Sequence, residues 1–220
     1  MTIHVLVEGP SERVFLEHWL PRLTLSQDVR VHPHQGKGSL PRATGRAADF
    51  RARGLLDQLP AKLRGFSQAL RPAVDGVLVL VDADDDDVDL LARGISAVAA
   101  QCAPQLRIGV GIAVEEMEAF YLGDLRALKR AYPTADMLAA RAYVPDSICG
   151  TWELFGQIVG DGGGNKVAWA DSMGPQLATR ASQNRSPSFR RLLQEIHALV
   201  PAPTPPAKKR HYRHIAKTRK

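Results

Sequence analysis

Cysteine is scarce in this sequence: Cys102 and Cys149 are its only two among 220 residues. They are too few and too far apart for a disulfide framework, and no CxxC or neighbouring Cys/His set suggests a zinc site. Both read as reduced core thiols. Long hydrophobic runs are missing as well. Nothing approaches the roughly eighteen consecutive apolar residues of a membrane helix, and Glu8 and Glu12 interrupt the segment where a signal peptide would carry its apolar core. The expected location is the cytoplasm, with no membrane role. A phosphate-binding loop is lacking too: in GDGGGNK, Asn165 stands where the nucleotide-binding motif requires Gly, and Val167 follows Lys166 in place of Ser or Thr. Acid is what the C-terminal end lacks. Residues 208–220 hold seven cations and no carboxylate, so the net charge of +6 belongs to a tail, and the other 22 cations face 23 acids in a nearly neutral body. Such a tail either binds phosphate backbones by counterion release or is simply solvated.

What is present alternates. Ile3 to Val7 is a short apolar run, after which Pro10 and Ser11 open a helix carrying Val14, Phe15, Leu16, Trp19 and Leu20, to be kinked or stopped at Pro21. VRVHPHQ is a second strand, followed by the loop GKGSLPRATGR. A helical region is expected over about residues 46–70, interrupted near Pro60. GVLVLVD, with five consecutive aliphatics, suits a central parallel strand covered on both faces. RIGVGIAVEEMEAFYL gives a further strand that passes into a helix. Strand alternating with helix predicts an α/β fold, Rossmann-like, with a mainly parallel sheet flanked by helices. The expected organisation is an α/β domain over residues 1–132, a C-terminal helical elaboration packed on it over 133–200, and a Pro-rich then basic flexible tail over 201–220.

Three of the apolar strands end in acid. Glu8 and Glu12 follow the first; Asp82 and Asp84 close GVLVLVDAD; Glu115, Glu116 and Glu118 follow the last. In an open parallel sheet these ends share the edge where ligands collect. If Asp82 to Asp84 is extended, alternation puts both side chains on one face. Carboxylates about 4 Å apart repel by roughly 4 kcal/mol at an effective dielectric near 20, so such a cluster must protonate, splay or take a cation. A hard ion, Mg²⁺ or Mn²⁺, suits carboxylate oxygens and leaves room for phosphate and water, which points to phosphoryl or phosphodiester chemistry. Glu116 and Glu118 share a face if the chain is extended there; Glu115 and Glu118 do if it is helical. Taken singly, each acid has a plainer reading: Glu12, Asp85, Asp86, Asp87 and Asp89 suit first helical turns.

VEGPSERVFLEHWLP, VLVDADDDD, EEMEAFYLGD and NKVAWADSMGPQLA...RSPSFRRLLQEI, in this order, resemble the TOPRIM-like family catalogued as domain of unknown function 4276. TOPRIM domains are shared by topoisomerases, primases and the overcoming-lysogenisation-defect nucleases. The resemblance, which spans roughly Ile3 to Ile196, implies a Mg²⁺-dependent nuclease-like centre. In it Glu8 serves in acid/base chemistry or metal binding, Asp82 and Asp84 hold the metal, and Glu12 supports a second ion. Glu116 and Glu118 match the glutamate pair, and Lys166 matches a lysine that stabilises a pentavalent phosphate. It further implies a role in phage defence beside an ATPase of the AAA or SMC-like kind, acting in trans on DNA or RNA. The acidic run after Asp84 and the basic tail depart from that pattern.

Two other classes compete. VLVDADDDD also mimics the DxD of haloacid-dehalogenase-type phosphatases, although Asp86 stands where Thr or Val is usual and VEGPSE is left without a role; a DxD nucleotide-sugar transferase is a weaker variant. A noncatalytic adaptor that binds nucleic acid by its tail is the other. Candidate phosphate contacts are Lys37 and Arg42 in the first loop, Arg185 and Arg190 near the last helix, and Lys208, Lys209 and Arg210 in the tail.

Overall fold

The computed structural model describes residues 2–25, 27–45, 51–148, 150–162 and 164–200. Cys149 and the tail cations Lys208, Lys209 and Arg210 lie outside them.

Four strands form one all-parallel sheet: β1 (Thr2–Val7), β2 (Asp28–Pro33), β3 (Gly76–Asp82) and β4 (Arg107–Ala113), in the spatial order β2-β1-β3-β4. β1 is flanked by β2 through the register Leu6↔His32 and by β3 through Leu6↔Val79. Alternation within the strands separates two cores. Ile3, Val5, Val7, Leu78 and Leu80 face one side; Leu6, Val77, Val79, Val81 and Ile112 face the other. β3 is buried at every position, as its unbroken aliphatic run requires.

The second of these faces is covered by α2 (Leu55–Ala69) and α3 (Val88–Cys102). The helix expected from about residue 46 starts only at Leu55, because Asp57 at its third position accepts the Gly54 N–H and fixes the start there. Pro60 does not interrupt it: the proline lies buried in the second turn, and the helix runs on to Ala69. α3 begins where Asp87 accepts the Leu90 N–H.

The first face is covered by α1 (Pro10–Trp19) and by the helices of the C-terminal half. These are α4 (Glu118–Gly123), α5 (Leu125–Ala131), α6 (Met137–Ala142), α7 (Thr151–Val159), α8 (Lys166–Met173) and α9 (Pro187–Leu199). α1 ends before Pro21 and passes into a 3-10 turn, Leu20–Leu23. α9 buries Phe189, Leu192, Leu193, Ile196 and Leu199, each contributing about 2 kcal/mol if fully withdrawn from water. Its Leu192 packs so close to Gly111 that a Cβ there would stand 2.7 Å from Cδ1. Phe15, Trp19, Tyr121, Phe155, Trp169 and Phe189 form a connected aromatic chain, so residues on both sides of position 132 share one core. The Trp19 indole N–H donates to the Ala178 carbonyl, 2.9 Å away, which ties α1 to the segment after α8. No helix among the described residues is long and apolar enough to cross a membrane.

Candidate functional site

The strand order reverses direction at β1. The chain leaves β1 to build β2 on one side, then returns to build β3 on the other, and the crevice of such a sheet opens at the carboxyl ends of the two strands so separated. Glu8 follows β1 directly and Asp82 is the last residue of β3, so the acidic knots face each other across this crevice. The contact is direct: Glu8 Oε1 accepts the Asp82 backbone N–H at 2.8 Å. Pro10 starts α1 at once, so Glu12 falls in its first turn and points inward, buried, with Oε1 accepting from the Ser11 hydroxyl at 2.9 Å. β4 enters the same edge, and α4 begins at Glu118, whose side chain is only 1% exposed.

These four carboxylates act on one another. Burial, then the charges of Glu12, Glu8 and Glu118, push the Asp82 carboxyl well above the usual carboxylate range, with Lys166 opposing. Burial lifts Glu8 to about 7 against the opposing pull of the Asp82 N–H, and Glu12 and Asp84 add to the rise. Burial likewise lifts Glu118 to about 7; Lys166 restrains it, and Glu116 and Glu12 push it further. Tyr121, fully buried behind them, has its phenol pushed far up by burial and by the same acids. Glu118 Oε1 is buried without any hydrogen-bond partner, an arrangement that costs free energy unless something fills it.

Asp84 departs from the expectation that it would share a face with Asp82. β3 ends at Asp82, and the chain then turns: Ala83 N–H reaches the Ala113 carbonyl, Asp84 N–H the Glu115 carbonyl, and Asp84 takes a left-handed φ of 48°. Alternation ends with the strand, so the Asp84 side chain, half exposed, pairs with Lys37 Nζ at 2.6 Å while its charge still reaches Glu8. Asp86 meets the same ammonium at 2.9 Å, and the Ala83 carbonyl accepts its third N–H at 2.9 Å. Lys37, expected to contact phosphate, therefore has all three donors committed within the chain.

The three glutamates after β4 go three ways. Glu115, at φ 60°, accepts from Gly150 N–H, Thr151 N–H and the Thr151 hydroxyl, and so holds the start of α7. Glu116 accepts from Trp152 N–H at 3.1 Å and pairs with Lys166 Nζ at 2.9 Å. Glu118 alone turns into the crevice. The left-handed residue at 115 ends the extended backbone, so Glu116 and Glu118 do not meet by strand alternation; Glu116's charge still reaches Glu118 and adds to its rise.

Lys166 opens α8 behind an Asn165 cap, its ammonium 5.6 Å from the centre of the Trp152 ring and within electrostatic reach of Glu118 and Asp82. Its charge opposes the rise of both Asp82 and Glu118. Arg185 donates to the carbonyls of Leu122 and Ala140, and Arg190 to those of Asn184 and Arg185, so both guanidiniums brace the approach to α9. Arg42 is exposed on the first loop.

Among the described residues, no three His, Cys, Asp or Glu side chains stand as a ready-made ligand set for a metal ion. The fit to Mg²⁺ or Mn²⁺ lies in the donors: hard oxygens, one of them orphaned and buried, in a cluster on which the lysines Lys37 and Lys166 act among the described residues. The residues that would hold an ion are Glu8, Glu12, Asp82 and Glu118. The roles of Lys37 and Glu115 have no sequence signal beyond a lysine between glycines and a glutamate in a run of three.

A family model described as a domain of unknown function, DUF4276, matches residues 7–197, a span holding every acid of the crevice together with Lys37 and Lys166. No curated protein and no solved structure matches the chain. The chain belongs to the DUF4276 family.

Proposed function

We propose that this protein is a Mg²⁺-dependent, TOPRIM-type hydrolase of nucleic-acid phosphodiesters, DNA or RNA. The observation that carries the reading is the buried, under-compensated carboxylate cluster at the switch point of the parallel sheet. A structural role alone would favour apolar residues or paired ions there, since an uncompensated buried charge lowers stability. Glu8, Glu12, Asp82 and Glu118 would hold the ion, which supplies Lewis acidity toward a phosphoryl oxygen. Glu8, held at one oxygen by the Asp82 N–H and poised near neutrality, is the group suited to exchange a proton with the attacking or leaving oxygen. Lys166 places one positive charge beside the cluster, where a phosphate's charge grows in the transition state. The finer reading is a cytoplasmic effector of a two-gene, phage-defence-type system with an AAA or SMC-like ATPase in trans; its support is the resemblance of the acidic motifs.

The test is purified protein with Mg²⁺ or Mn²⁺, incubated with plasmid, single-stranded DNA and tRNA beside Glu8→Ala and Asp82→Ala. Metal-dependent cleavage that both substitutions abolish is the expected result. Equal cleavage by all three proteins assigns the activity elsewhere, and turnover of a phosphomonoester instead would favour the phosphatase class.

A further inference from the structure

Lys37 is held with unusual care for a loop lysine. The Gly36 N–H donates to the Glu8 carbonyl at 2.9 Å, and the Gly36 and Lys37 carbonyls accept from Leu55 and Leu56 N–H at 2.9 and 2.8 Å. The loop is thus seated on the end of β1 and on the first turn of α2. Gly38 makes that seat possible: its φ is +67°, and a Cβ there would collide with the Asp57 carboxylate. From this seat the Lys37 side chain, 13% exposed, crosses to the loop after β3. There its ammonium meets two carboxylates and one backbone carbonyl, all within 2.9 Å. Those oxygens are what a hard divalent ion would take, and an ammonium has three N–H groups to satisfy them.

We propose that Lys37 is a resident counter-ion that takes the place of a second divalent cation at Asp84 and Asp86. The protein therefore binds one divalent ion per chain, on the crevice carboxylates alone. The inference rests on the metal reading above and sharpens it, because it removes Asp84 from the ligand set and makes the chemistry that of a single ion. Two features support it. At the left-handed turn the Asp84 carboxylate pairs with the ammonium at 2.6 Å. A second divalent ion would have to displace a mostly buried ammonium from every partner it has, and like-charge repulsion opposes the two sharing the site.

The experiment counts bound Mn²⁺ on the full chain at pH 8, by titration calorimetry and by the electron paramagnetic resonance signal of free ion. Wild type is expected to take one ion, lost in Asp82→Asn. Lys37→Met, which keeps the stem and removes the charge, is expected to take two, and Lys37→Met with Asp84→Asn to return to one. A wild-type count of two, with one ion lost on Asp84→Asn, overturns the inference and leaves the metal reading standing. So does a count of one in folded Lys37→Met. Wild type that binds no ion overturns the metal reading itself and this inference with it. Should Lys37→Met fail to fold, as circular dichroism would reveal, the wild-type count decides.

Discussion

Glu118→Gln should make the metal-free protein more stable, in a manner that pH exposes. The folded state keeps the Glu118 proton up to about pH 7, against an ordinary value of 4.5. Below about 4.5 both folded and unfolded chains are protonated and nothing is lost. Between 4.5 and 7 the unfolded chain releases the proton while the folded one holds it, so stability falls as pH rises; above 7 the loss is constant. A difference of 2.5 units corresponds to about 3 kcal/mol at full burial. Glutamine does not ionise, and its amide N–H groups can donate to neighbouring acids. Variant and wild type should therefore be nearly equal at pH 4.5, with the variant ahead by about 3 kcal/mol at pH 8, or roughly 6–12 °C in Tm for a chain of this size. Urea and thermal denaturation at the two pH values, without divalent ions, measure it. Saturating Mg²⁺ should then stabilise wild type by mass action and leave the variant unmoved. An offset that is the same at both pH values, or a variant less stable at pH 8, would refute the account of the cluster.

Removing the acceptor in Glu115→Ala strands the Gly150 and Thr151 N–H groups at the start of α7; a loss of about 1–3 kcal/mol in urea denaturation is expected. Asp75, where burial's upward push is overcome by hydrogen bonds from Arg71 and from the Thr2 N–H, has its carboxyl held well below the usual range. A depressed carboxyl contributes above its unfolded value and loses that contribution as pH falls through the folded one. Asp75→Asn should thus cost on the order of 1 kcal/mol at pH 7, a gap that narrows as acid unfolding is followed below about pH 4. Gly38→Ala forces a Cβ against the Asp57 carboxylate at a left-handed position; a loss of at least about 1 kcal/mol is expected from the strain, and Mn²⁺ counting should show the second ion that freeing Lys37 admits.

The parallel sheet was legible because it rests on periodicity. The continuous aliphatics of β3 mark a buried parallel strand, and the acid at the end of each of three strands marks the edge where the carboxylates gather. Glu8, Glu12, Asp82 and Glu118 follow from that edge, and their burial is set by the elements that carry them. Which other acids join them is decided by single backbone angles. A left-handed Asp84 and a left-handed Glu115 set where each carboxylate goes, and no local pattern announces either: Asp tolerates such an angle without demanding it, and Glu is not a residue that favours it. The start of α2 at Leu55 was hidden for a related reason: it depends on Asp57 reaching back to Gly54, a contact that exists only once Gly38 has packed against Gly54.

The two halves of the acidic loop show how one fold can meet the same electrostatic problem twice. Asp84 and Asp86 are neutralised from within, by a lysine whose backbone is seated on β1 and α2, and they remain half exposed. Asp82 and Glu118 lie deeper, and among the described residues the cation that acts on both is Lys166, itself paired with Glu116. A protein able to place Lys37 so fully against one pair of acids had the means to place another lysine against the second. The deeper acids, left raised and with an orphaned oxygen, are thus the ones to which the proposed ion is assigned. In Lys166→Met the remaining help is gone, so the metal-free protein should lose more stability at pH 8 than at pH 5, by on the order of 1 kcal/mol or more for a half-buried pair. Denaturation at both pH values checks it, and an equal loss at the two would mean that Lys166 serves packing against Trp152 and not the charge of the crevice.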